Sequence, residues 1–587
     1  MGSGLITAAP DAPGGSATPR RTLGRRLHDA LDEWSTPGGL LVVGALLITA
    51  IAVTSAITDP DFWWHLQTGQ LLIANHLHLL GNDPYTYTVA NHHWTMHEWL
   101  FEVGIAALYN IGGMGAIVPV LSLLTWFGVV FILLRARLHT GNRLSLGLGL
   151  IVAAVAANPI WGPRDQMVDF TFSCLVLLLI ERYLLRGGRV LWFLPPLFLL
   201  WSNLHGGFVI GLVFAGLIVA AEAVGLRLGL PDPVPRRRIA TLAGITVLSI
   251  LVSMINPNGP GILIYAAETL ASPAQQALIL EWQSPDFHQL EVRGFAVMLV
   301  SLLGFLIANR RIRARDAVLV AATSVLALES VRNVALFVAA ASPTWIEQLS
   351  RLMDRLRSDG ALAALHRVSA GARVPVATGA GTAAPGGAGG DVTALAARPG
   401  ARPLPPFRIR ATALLAMTGA LVGGWVGLRL IPAMTTTPTA LSYASTYPVC
   451  ASAWLRSAPG HLRIFNQYGE GGYLAWSLAG TGDKIFIFGD AALMGDSLLY
   501  AYSDVADVTP QWQTLLLKYG TQVVLFDTGT ALDHVLEASP NWVMVYSDPH
   551  NQAFVLKSEK TSLHLPRQPT PTGTCAQLAA QGKATSS

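Results

Sequence analysis

Apolar runs of about 20 residues recur along most of this chain and constrain its fold more than any other feature. A helix of that length crosses the hydrocarbon core of a bilayer. The 587 residues are 52% hydrophobic and only 13% charged, about half the charged fraction of an ordinary soluble domain. The sequence therefore predicts a polytopic α-helical membrane protein with about eleven spanning helices. The predicted spans are residues 38–57, 114–134, 144–160, 167–184, 190–204, 207–226, 238–254, 295–309, 316–330, 333–348 and 410–431.

The first apolar run is predicted to be a retained span rather than a cleaved signal sequence. It is longer than the apolar part of a signal sequence, and Asp59, Pro60 and Asp61 follow it where a small-residue cleavage site would stand. Residues 1–37 are rich in Gly, Ala, Pro and Ser, and then in arginine. We expect this N-terminal segment to be disordered and cytoplasmic.

The loops between the predicted spans alternate in character, and one set of them is basic. Lysine and arginine near span ends are retained on the cytoplasmic side, and threading the spans in order places every basic loop on that side. The formal net charge of +4 is therefore interpreted as a topology signal, and no nucleic-acid partner is predicted. We expect a multi-pass protein of the plasma membrane with a cytoplasmic N-terminus. The basic loops are residues 20–29, 135–143, 182–189, 233–240, 309–316 and 349–409.

These patterns divide the chain into segments. Residues 38–348 are predicted to form a transmembrane module. Residues 349–409 are Ala/Gly/Pro-rich and of low complexity, which predicts a disordered cytoplasmic loop. The last predicted span, 410–431, leads into residues 432–587. There, short β-rich runs alternate with helical stretches, which predicts an extracytoplasmic α/β domain.

Within that last segment, the GEGGY at 469–473 lacks phosphate-loop spacing and is interpreted as a turn. Cys450 and Cys575 bracket the domain. They could pair outside the cell or remain free, because a sequence does not give their separation. Cys174 lies in an apolar run and is expected to be buried. The strand-like runs are HLRIFNQ, YLAWSL, KIFIFGD, QVVLFD, WVMVYSD and QAFVLKS.

The second set of loops holds nearly all the unusual polar chemistry. Its members come from distant parts of the chain but fall at the predicted extracytoplasmic ends of the helices. Ionisable and amide groups at such depth are costly and usually mark function. The alternative is that these segments are ordinary helix caps and turns, and NPNG taken alone favours that interpretation. The seven polar segments together favour a shared site. They are DPDFWWH (59–65), HHWTMHEW (92–99), NPIWGPRDQ (158–166), NLHGG (203–207), NPNG (256–259), EWQSPDF (281–287) and ESVRN (329–333).

Two carboxylates spaced by one residue, Asp59 and Asp61, follow the first predicted span. Such a pair could chelate a hard divalent cation, or one member could deprotonate an acceptor hydroxyl as a general base. The alternative is an acidic helix cap beside an aromatic belt formed by Trp63 and Trp64.

Further along the same loop lie His92, His93, His97 and Glu98. This cluster could ligate zinc or another transition metal, although histidine-rich interfacial loops without metal are common. If a divalent cation is the cofactor, the predicted ligands are Asp59, Asp61, His97 and Glu98. The apolar stretch 97–110 is too short to span and is predicted to be an amphipathic surface helix.

Two arginines could bind a phosphate. Arg164 stands among prolines and apolar residues, and Arg332 lies between two apolar runs. Guanidinium groups bind phosphate through paired hydrogen bonds. Structural ion pairing, for example between Glu329 and Arg332, is the competing interpretation. His205 could act as a base or be a satisfied buried histidine.

An acidic D-x-D directly after the first span resembles the GT-C class of membrane glycosyltransferases, which includes the protein O-mannosyltransferases and the aminoarabinose transferases. The strings DPDFWWHLQTG, DPYTYT, HEWLFE, WSNLHGG, INPNG, EWQSPDF and RNVAL resemble a bacterial group described as glycosyltransferase-like membrane proteins. The resemblance covers most of the chain. The Asp-Glu pair typical of protein O-mannosyltransferases is absent, so mannosyl transfer to protein is not implied.

The resemblance implies a role for each candidate residue. Asp61 is the first choice for the base that activates the acceptor, Asp59 is the second, and Glu98 assists. Arg164 and Arg332 bind the donor phosphate. The implied donor is a polyprenyl-phosphate-linked sugar in the lipid bilayer, and the acceptor is an unidentified extracytoplasmic molecule. The supporting residues are His65, His97, His205, Asn203 and Glu281.

A non-catalytic role on the same fold is the alternative, either as a translocator of lipid-linked saccharides or as an envelope assembly factor. An enzyme should bring a first-loop carboxylate and a phosphate-binding arginine into one cavity. A translocator should have polar groups through the full membrane depth. The sequence favours the enzyme, because the predicted intramembrane charge lies on one face.

Overall fold

The computed structural model of this protein describes residues 34–358 and 411–585. The predictions for residues 1–33 and 359–410, including most of the low-complexity loop, lie outside the described residues.

The first half of the chain is helical, as its apolar runs predict. Each of the predicted spans overlaps a helix, and the whole is a multi-pass membrane protein. The helices before residue 359 are Pro37–Val53, Phe62–Ala74, Trp99–Gly112, Met114–Ala136, Arg143–Ala156, Gln166–Arg186, Leu194–Leu204, Phe208–Arg227, Arg236–Ser253, Gly261–Ala271, Pro273–Leu278, Arg293–Asn309, Ala314–Glu329 and Val334–Ser358.

Within residues 34–358 and 411–585, four helices are long and apolar enough to cross a membrane: Met114–Ala136, Phe208–Arg227, Leu290–Asn309 and Ala416–Thr435. The predicted count of eleven spans is therefore not confirmed. Other overlapping helices, such as Pro37–Val53, are apolar but shorter than 18 residues.

The boundary predicted at residue 348 is wrong. The helix Val334–Ser358 continues through the first part of the predicted 349–409 loop. Its extension is amphipathic, and Arg351 pairs with Glu347 one turn earlier, at 2.6 Å. Such i,i+4 pairs favour helix over loop, whereas the prediction followed hydropathy alone.

Small residues allow close helix packing in this bundle. A Cβ at Gly128 would overlap the ring of Phe170, and one at Gly147 would overlap Leu41. Glycine at such contacts lets helix backbones approach, which helps helices associate where the surrounding lipid is as apolar as their side chains.

A buried ion network lies at the ends of the helices that face away from the D-x-D loop. The guanidinium of Arg315 bridges Glu181, at 2.7 Å, and Glu222, at 2.6 Å. All three side chains are at most 8% exposed. The expectation that intramembrane charge lies on one face is therefore wrong. The network includes Arg135, at 3.7 Å from Asp316.

The C-terminal part forms a mixed five-stranded sheet surrounded by short helices. The strands are β1 (Arg463–Asn466), β2 (Lys484–Ile485), β3 (Val523–Asp527), β4 (Trp542–Ser547) and β5 (Asn551–Leu556), in the order β2-β1-β3-β5-β4. β1 is parallel to β2 and β3, and β5 is antiparallel to β3 and β4. Ala411–Trp425 and Ile431–Thr435 belong to the candidate span before this domain. The helices of the domain are Leu441–Ala444, Val449–Leu455, Gly471–Ser477, Ala491–Ala506, Trp512–Lys518, Ala531–Ala538 and Gly573–Thr585.

Two strand predictions need correction. YLAWSL lies mostly in the helix Gly471–Ser477, because a short apolar run buried on all sides has no periodicity to separate strand from helix. In KIFIFGD only β2 is a strand. Beyond it, the backbone N–H groups of Phe486 and Ile487 donate to the Asn466 side chain, which replaces the ladder partner.

Cys450 and Cys575, whose pairing the sequence left open, form a disulfide with their Cα atoms 5.8 Å apart. It joins the helix Val449–Leu455 to the C-terminal helix. Cys174 is buried, as predicted.

The sheet domain is docked on the loop that follows the first helix. Trp63 packs in edge or tilted geometry against Tyr443, Tyr447, Tyr473 and Trp476. The same loop extends the sheet, since Thr86 forms a parallel bridge to Ile485 of β2. Trp63 therefore belongs to an interior contact, and the sequence alternative of an aromatic belt does not hold for it.

Candidate active site

The D-x-D loop orders itself before the helix Phe62–Ala74. Asp59 Oδ1 accepts a hydrogen bond from the Asp61 N–H at 2.8 Å, and Asp61 Oδ1 accepts one from Trp64 Nε1 at 3.2 Å. Asp61 makes no side-chain capping bond to the helix. The acidic-cap alternative for Asp61 is therefore not what the structure contains.

Asp59 and Arg164 are in direct contact. Arg164 Nε lies 2.9 Å from Asp59 Oδ2, and its Nη2 lies 2.7 Å from Glu281 Oε1. The Arg164 side chain is 18% exposed. Three of the seven polar segments thus meet at one guanidinium, and the carboxylate loop lies beside a phosphate-binding candidate.

Asp61 lies in a partly buried position closed by the sheet domain. The backbone at Gly489 packs against its carboxylate so tightly that a Cβ there would overlap Asp61 Oδ1. Burial raises the pKa of Asp61 to about 7, with the charge of Asp59 adding to it and that of His65 opposing it. A carboxylate with a pKa near the working pH is suited to general-base chemistry.

Glu98 is the centre of a buried histidine cluster. Its carboxylate lies 2.9 Å from His97 Nε2, 3.1 Å from His205 Nε2 and 3.2 Å from His65 Nε2. Burial alone would raise the pKa of Glu98, but the three imidazoles outweigh burial and lower it to about 2. Glu98 is thus held as a carboxylate. By contrast, His92 and His93 are exposed, so they do not belong to the cluster as the sequence suggested.

His205 has carboxylates on both ring nitrogens. Nε2 lies 3.0 Å from Asp165 Oδ2, and Nδ1 lies 2.7 Å from Asp169 Oδ2. Asp169 in turn accepts from Trp201 Nε1 at 2.8 Å. This environment matches the satisfied buried histidine of the two interpretations left open, and it connects His205 to Glu98.

The candidate metal ligands differ from the predicted set. His65, Glu98 and Asp165 offer ligand atoms that all lie within 4.8 Å of one another. Asp59 and Asp61 are outside this group, because the first pairs with Arg164 and the second with Trp64. One imidazole and two carboxylates suit Zn²⁺ or Mn²⁺.

Arg332 lies beside the segment 281–287, whose Glu281 pairs with Arg164. Its guanidinium stacks 5.0 Å from the centre of the Trp282 ring, and Ser330 Oγ donates to the Glu281 carbonyl at 2.8 Å. No ion pair joins Arg332 to Glu329 among the residues that the structure describes. The competing ion-pair interpretation is therefore wrong for this pair.

Asn203 has a structural environment. Its Nδ2 donates to the carbonyls of Leu199 and Ile255, and its Oδ1 accepts from Trp99 Nε1. The NPNG turn joins it through Asn256. These bonds hold helix ends together, as the turn interpretation of NPNG expected.

Several neighbours of the site were missed from the sequence. Asp165 and Asp169 could have been noticed, since Asp169 is an acidic residue inside a predicted span. Glu102, which faces His65 Nδ1 at 3.4 Å, is a similar case. Asp490 accepts from Trp94 Nε1 at 2.7 Å and gave no local signal, because it comes from the sheet domain.

No protein-family model matches this sequence, and no curated protein matches it. The fold is similar to the oligosaccharyltransferase AglB from Archaeoglobus fulgidus, in a complex with an inhibitory peptide and a dolichol-phosphate, with 12% identity and a TM-score of 0.49 over 82% of this chain and 69% of that one. It is also similar to ArnT from Cupriavidus metallidurans bound to undecaprenyl phosphate, with 15% identity and a TM-score of 0.44 over 88% and 97% of the two chains.

Both neighbours are GT-C glycosyltransferases. This is the class that the sequence motifs resemble. At such identities and TM-scores, the two matches assign no activity, substrate or site residue to this chain.

Proposed function

We propose that this chain is a membrane glycosyltransferase that moves a sugar from a polyprenyl-phosphate donor to an extracytoplasmic acceptor. One observation carries the proposal: Asp61, with a pKa near 7, lies two residues from Asp59, which is paired to Arg164. A proton acceptor and a phosphate-binding cation are therefore neighbours. The donor class follows from the sequence resemblance.

In this reaction the acceptor oxygen attacks the anomeric carbon of the sugar, and the bond from that carbon to the phosphate oxygen breaks. The acceptor proton passes to Asp61, and polyprenyl phosphate leaves. Arg164 stabilises the charge that develops on the leaving phosphate. Of its five N–H donors, Arg164 gives one hydrogen bond to Glu281 from Nη2, while its Nε faces Asp59 as an ion pair. Stabilising developing charge is usually the largest catalytic contribution.

A divalent cation fits one place near this reaction. His65, Glu98 and Asp165 would hold it, and it would supply Lewis-acid charge to phosphate oxygens. Without an ion, the same residues form ion pairs that orient the loop carrying Asp61.

The alternative function, translocation of a lipid-linked saccharide, gains some support from the ion network around Arg315 at the far ends of the helices. In that network, however, Arg315 pairs with Glu181 and Glu222. Paired charges of this kind fit the joining of helices better than a polar path for substrate.

The test is Asp61→Asn in the purified chain, measured as sugar transfer from a labelled polyprenyl-phosphate donor in nanodiscs. We expect the rate to fall about 10²–10⁴-fold, because the substitution removes the proton acceptor and keeps the shape. Asp232→Asn is the matched control, since Asp232 is exposed in a loop on the opposite side. Wild-type turnover in Asp61→Asn would refute the proposed base.

A further inference from the structure

A second cluster of ionisable side chains lies in the sheet domain, apart from the candidate active site. Glu470 follows β1, Asp527 is the last residue of β3, and His550 lies in the turn between β4 and β5. Their ligand atoms all lie within 4.8 Å of one another. β1 and β3 are parallel, so their carboxyl ends meet at one edge of the sheet, where ligands commonly bind.

Glu470 is the buried centre of this cluster. It is 3% exposed, and its Oε2 atom has no hydrogen-bond partner among the described residues. Its Oε1 atom accepts from Asn551 Nδ2 at 2.7 Å and lies 3.2 Å from His550 Nε2. A buried carboxylate oxygen without a partner is costly, which indicates that a proton or a cation compensates it.

Asn551 holds both carboxylates of the cluster. Its Nδ2 also lies 3.5 Å from Asp527 Oδ1, and the residue is fully buried. The amide therefore orients Glu470 and Asp527 towards each other despite their like charges. Partners of this kind commonly fix the ligands of a metal ion.

The charge balance favours a cation over a simple ion pair. His550 can neutralise one carboxylate, so the ion pair alone leaves the second, at a mostly buried position, to be compensated by a proton or a metal ion. The 3.2 Å between His550 Nε2 and Glu470 Oε1 also matches the ~3.0–3.5 Å between neighbouring ligands that each lie ~2.1 Å from one ion. The His550 side chain is 23% exposed, which gives an ion a route in from solvent.

We propose that Glu470, Asp527 and His550 bind a divalent transition-metal ion of the Zn²⁺ type. One imidazole nitrogen with two carboxylate oxygens is a donor set for such ions. The ion joins the ends of β1 and β3 to the β4–β5 turn. Glu470 directly precedes the helix Gly471–Ser477, which packs on the D-x-D loop through Gly472 and Pro60. The ion thus fixes the edge of the domain that covers Asp61, whatever reaction occurs there.

The test is zinc binding by the full chain in detergent. The protein is stripped with a chelator, loaded with Zn²⁺ and desalted, and bound zinc is measured by inductively coupled plasma mass spectrometry. All variants carry His65→Ala, which removes the ligand set near Glu98 from the count. We expect His550→Ala to lose one zinc ion per chain. His534→Ala, at an exposed histidine of the same domain, should keep it.

Glu470→Gln and Asp527→Asn serve as near-isosteric checks, with folding followed by circular dichroism and size-exclusion elution. Both should lose the same ion while remaining folded. Equal zinc content in the His65→Ala background and in folded Glu470→Gln would overturn the proposal and leave a protonated ion-pair cluster. If His550→Ala does not fold, the two carboxylate variants decide the outcome.

Discussion

At the scale of single residues, Asp61 combines features that the sequence could suggest with others that it could not. Its place in a D-x-D after an apolar run marked it as a candidate base. Its pKa depends on burial under Gly489, which comes from the far end of the chain, and no local pattern predicts that contact. Arg164 is a candidate because it stands among prolines and apolar residues in the sequence. Its ion pair with Asp59 is visible only in the folded structure.

The pKa of Asp61 makes the rate depend on pH in a stated direction. As a base, Asp61 must be deprotonated, so sugar transfer should rise as the pH increases through about 7. Asp59→Asn removes a neighbouring negative charge, which lowers the pKa of Asp61. In that variant, the pH range over which the transfer rate rises should therefore shift to lower pH, independently of any loss in the maximal rate. Transfer rates across pH 5 to 9 check this, and an unchanged pH range would exclude coupling between the two carboxylates.

At the scale of elements, hydropathy located the helices but not their ends or roles. The helix Val334–Ser358 extends beyond its predicted end at residue 348, where the Arg351–Glu347 ion pair stabilises the helical conformation. The run YLAWSL is helical, and because it is buried on all sides its apolar pattern does not distinguish helix from strand. The seven polar segments do lie together through named contacts, from the Arg164 ion pairs to the Asn256–Asn203 bond. The sequence does not predict that Gly489 and Asp490 of the sheet domain contact the first loop. A loop between a strand and a helix has no local pattern that indicates its distant partners.

Gly489→Ala tests the contact between two such elements. The added Cβ overlaps Asp61 Oδ1, so the loop or the carboxylate must move. Overpacking of this kind typically costs about 1–3 kcal/mol, and we expect a melting temperature several degrees lower together with loss of transfer. Gly81→Ala is the control, because a Cβ there meets nothing within 4 Å. An unchanged melting curve for Gly489→Ala would show that Gly489 and the Asp61 carboxylate are not tightly packed.

Arg315→Met tests the ion network at the other ends of the helices. The substitution leaves Glu181 and Glu222 without their bridging cation, and breaking a buried pair in this way costs about 3–5 kcal/mol. Arg237→Met, at an exposed arginine, should be nearly neutral. Thermal unfolding in detergent compares the two. Similar stability of both variants would mean that other groups, such as Arg135, already neutralise the carboxylates.

At the scale of the whole molecule, the basic loops predict the orientation. We expect residue 358 on the cytoplasmic side and residues 432–587 outside, because lysine and arginine near span ends are retained inside. Ser358→Cys and Ser442→Cys place single reporters at exposed positions, and the native cysteines are buried or in a disulfide. Impermeant maleimide added to intact cells should label position 442 only. Labelling of position 358 from outside would reverse the proposed topology.

Because the sheet domain packs on the first loop, the candidate site is completed only late in the synthesis of the chain. Trp94 and Asp490, which bond across that contact, are 396 residues apart. A ribosome adding about 5–20 residues per second needs roughly 20–80 s to make the intervening chain. During that interval the nascent protein already has its D-x-D loop but lacks the cover that raises the pKa of Asp61. On the proposed function, we expect a truncation before residue 489 to leave an inserted product without sugar-transfer activity.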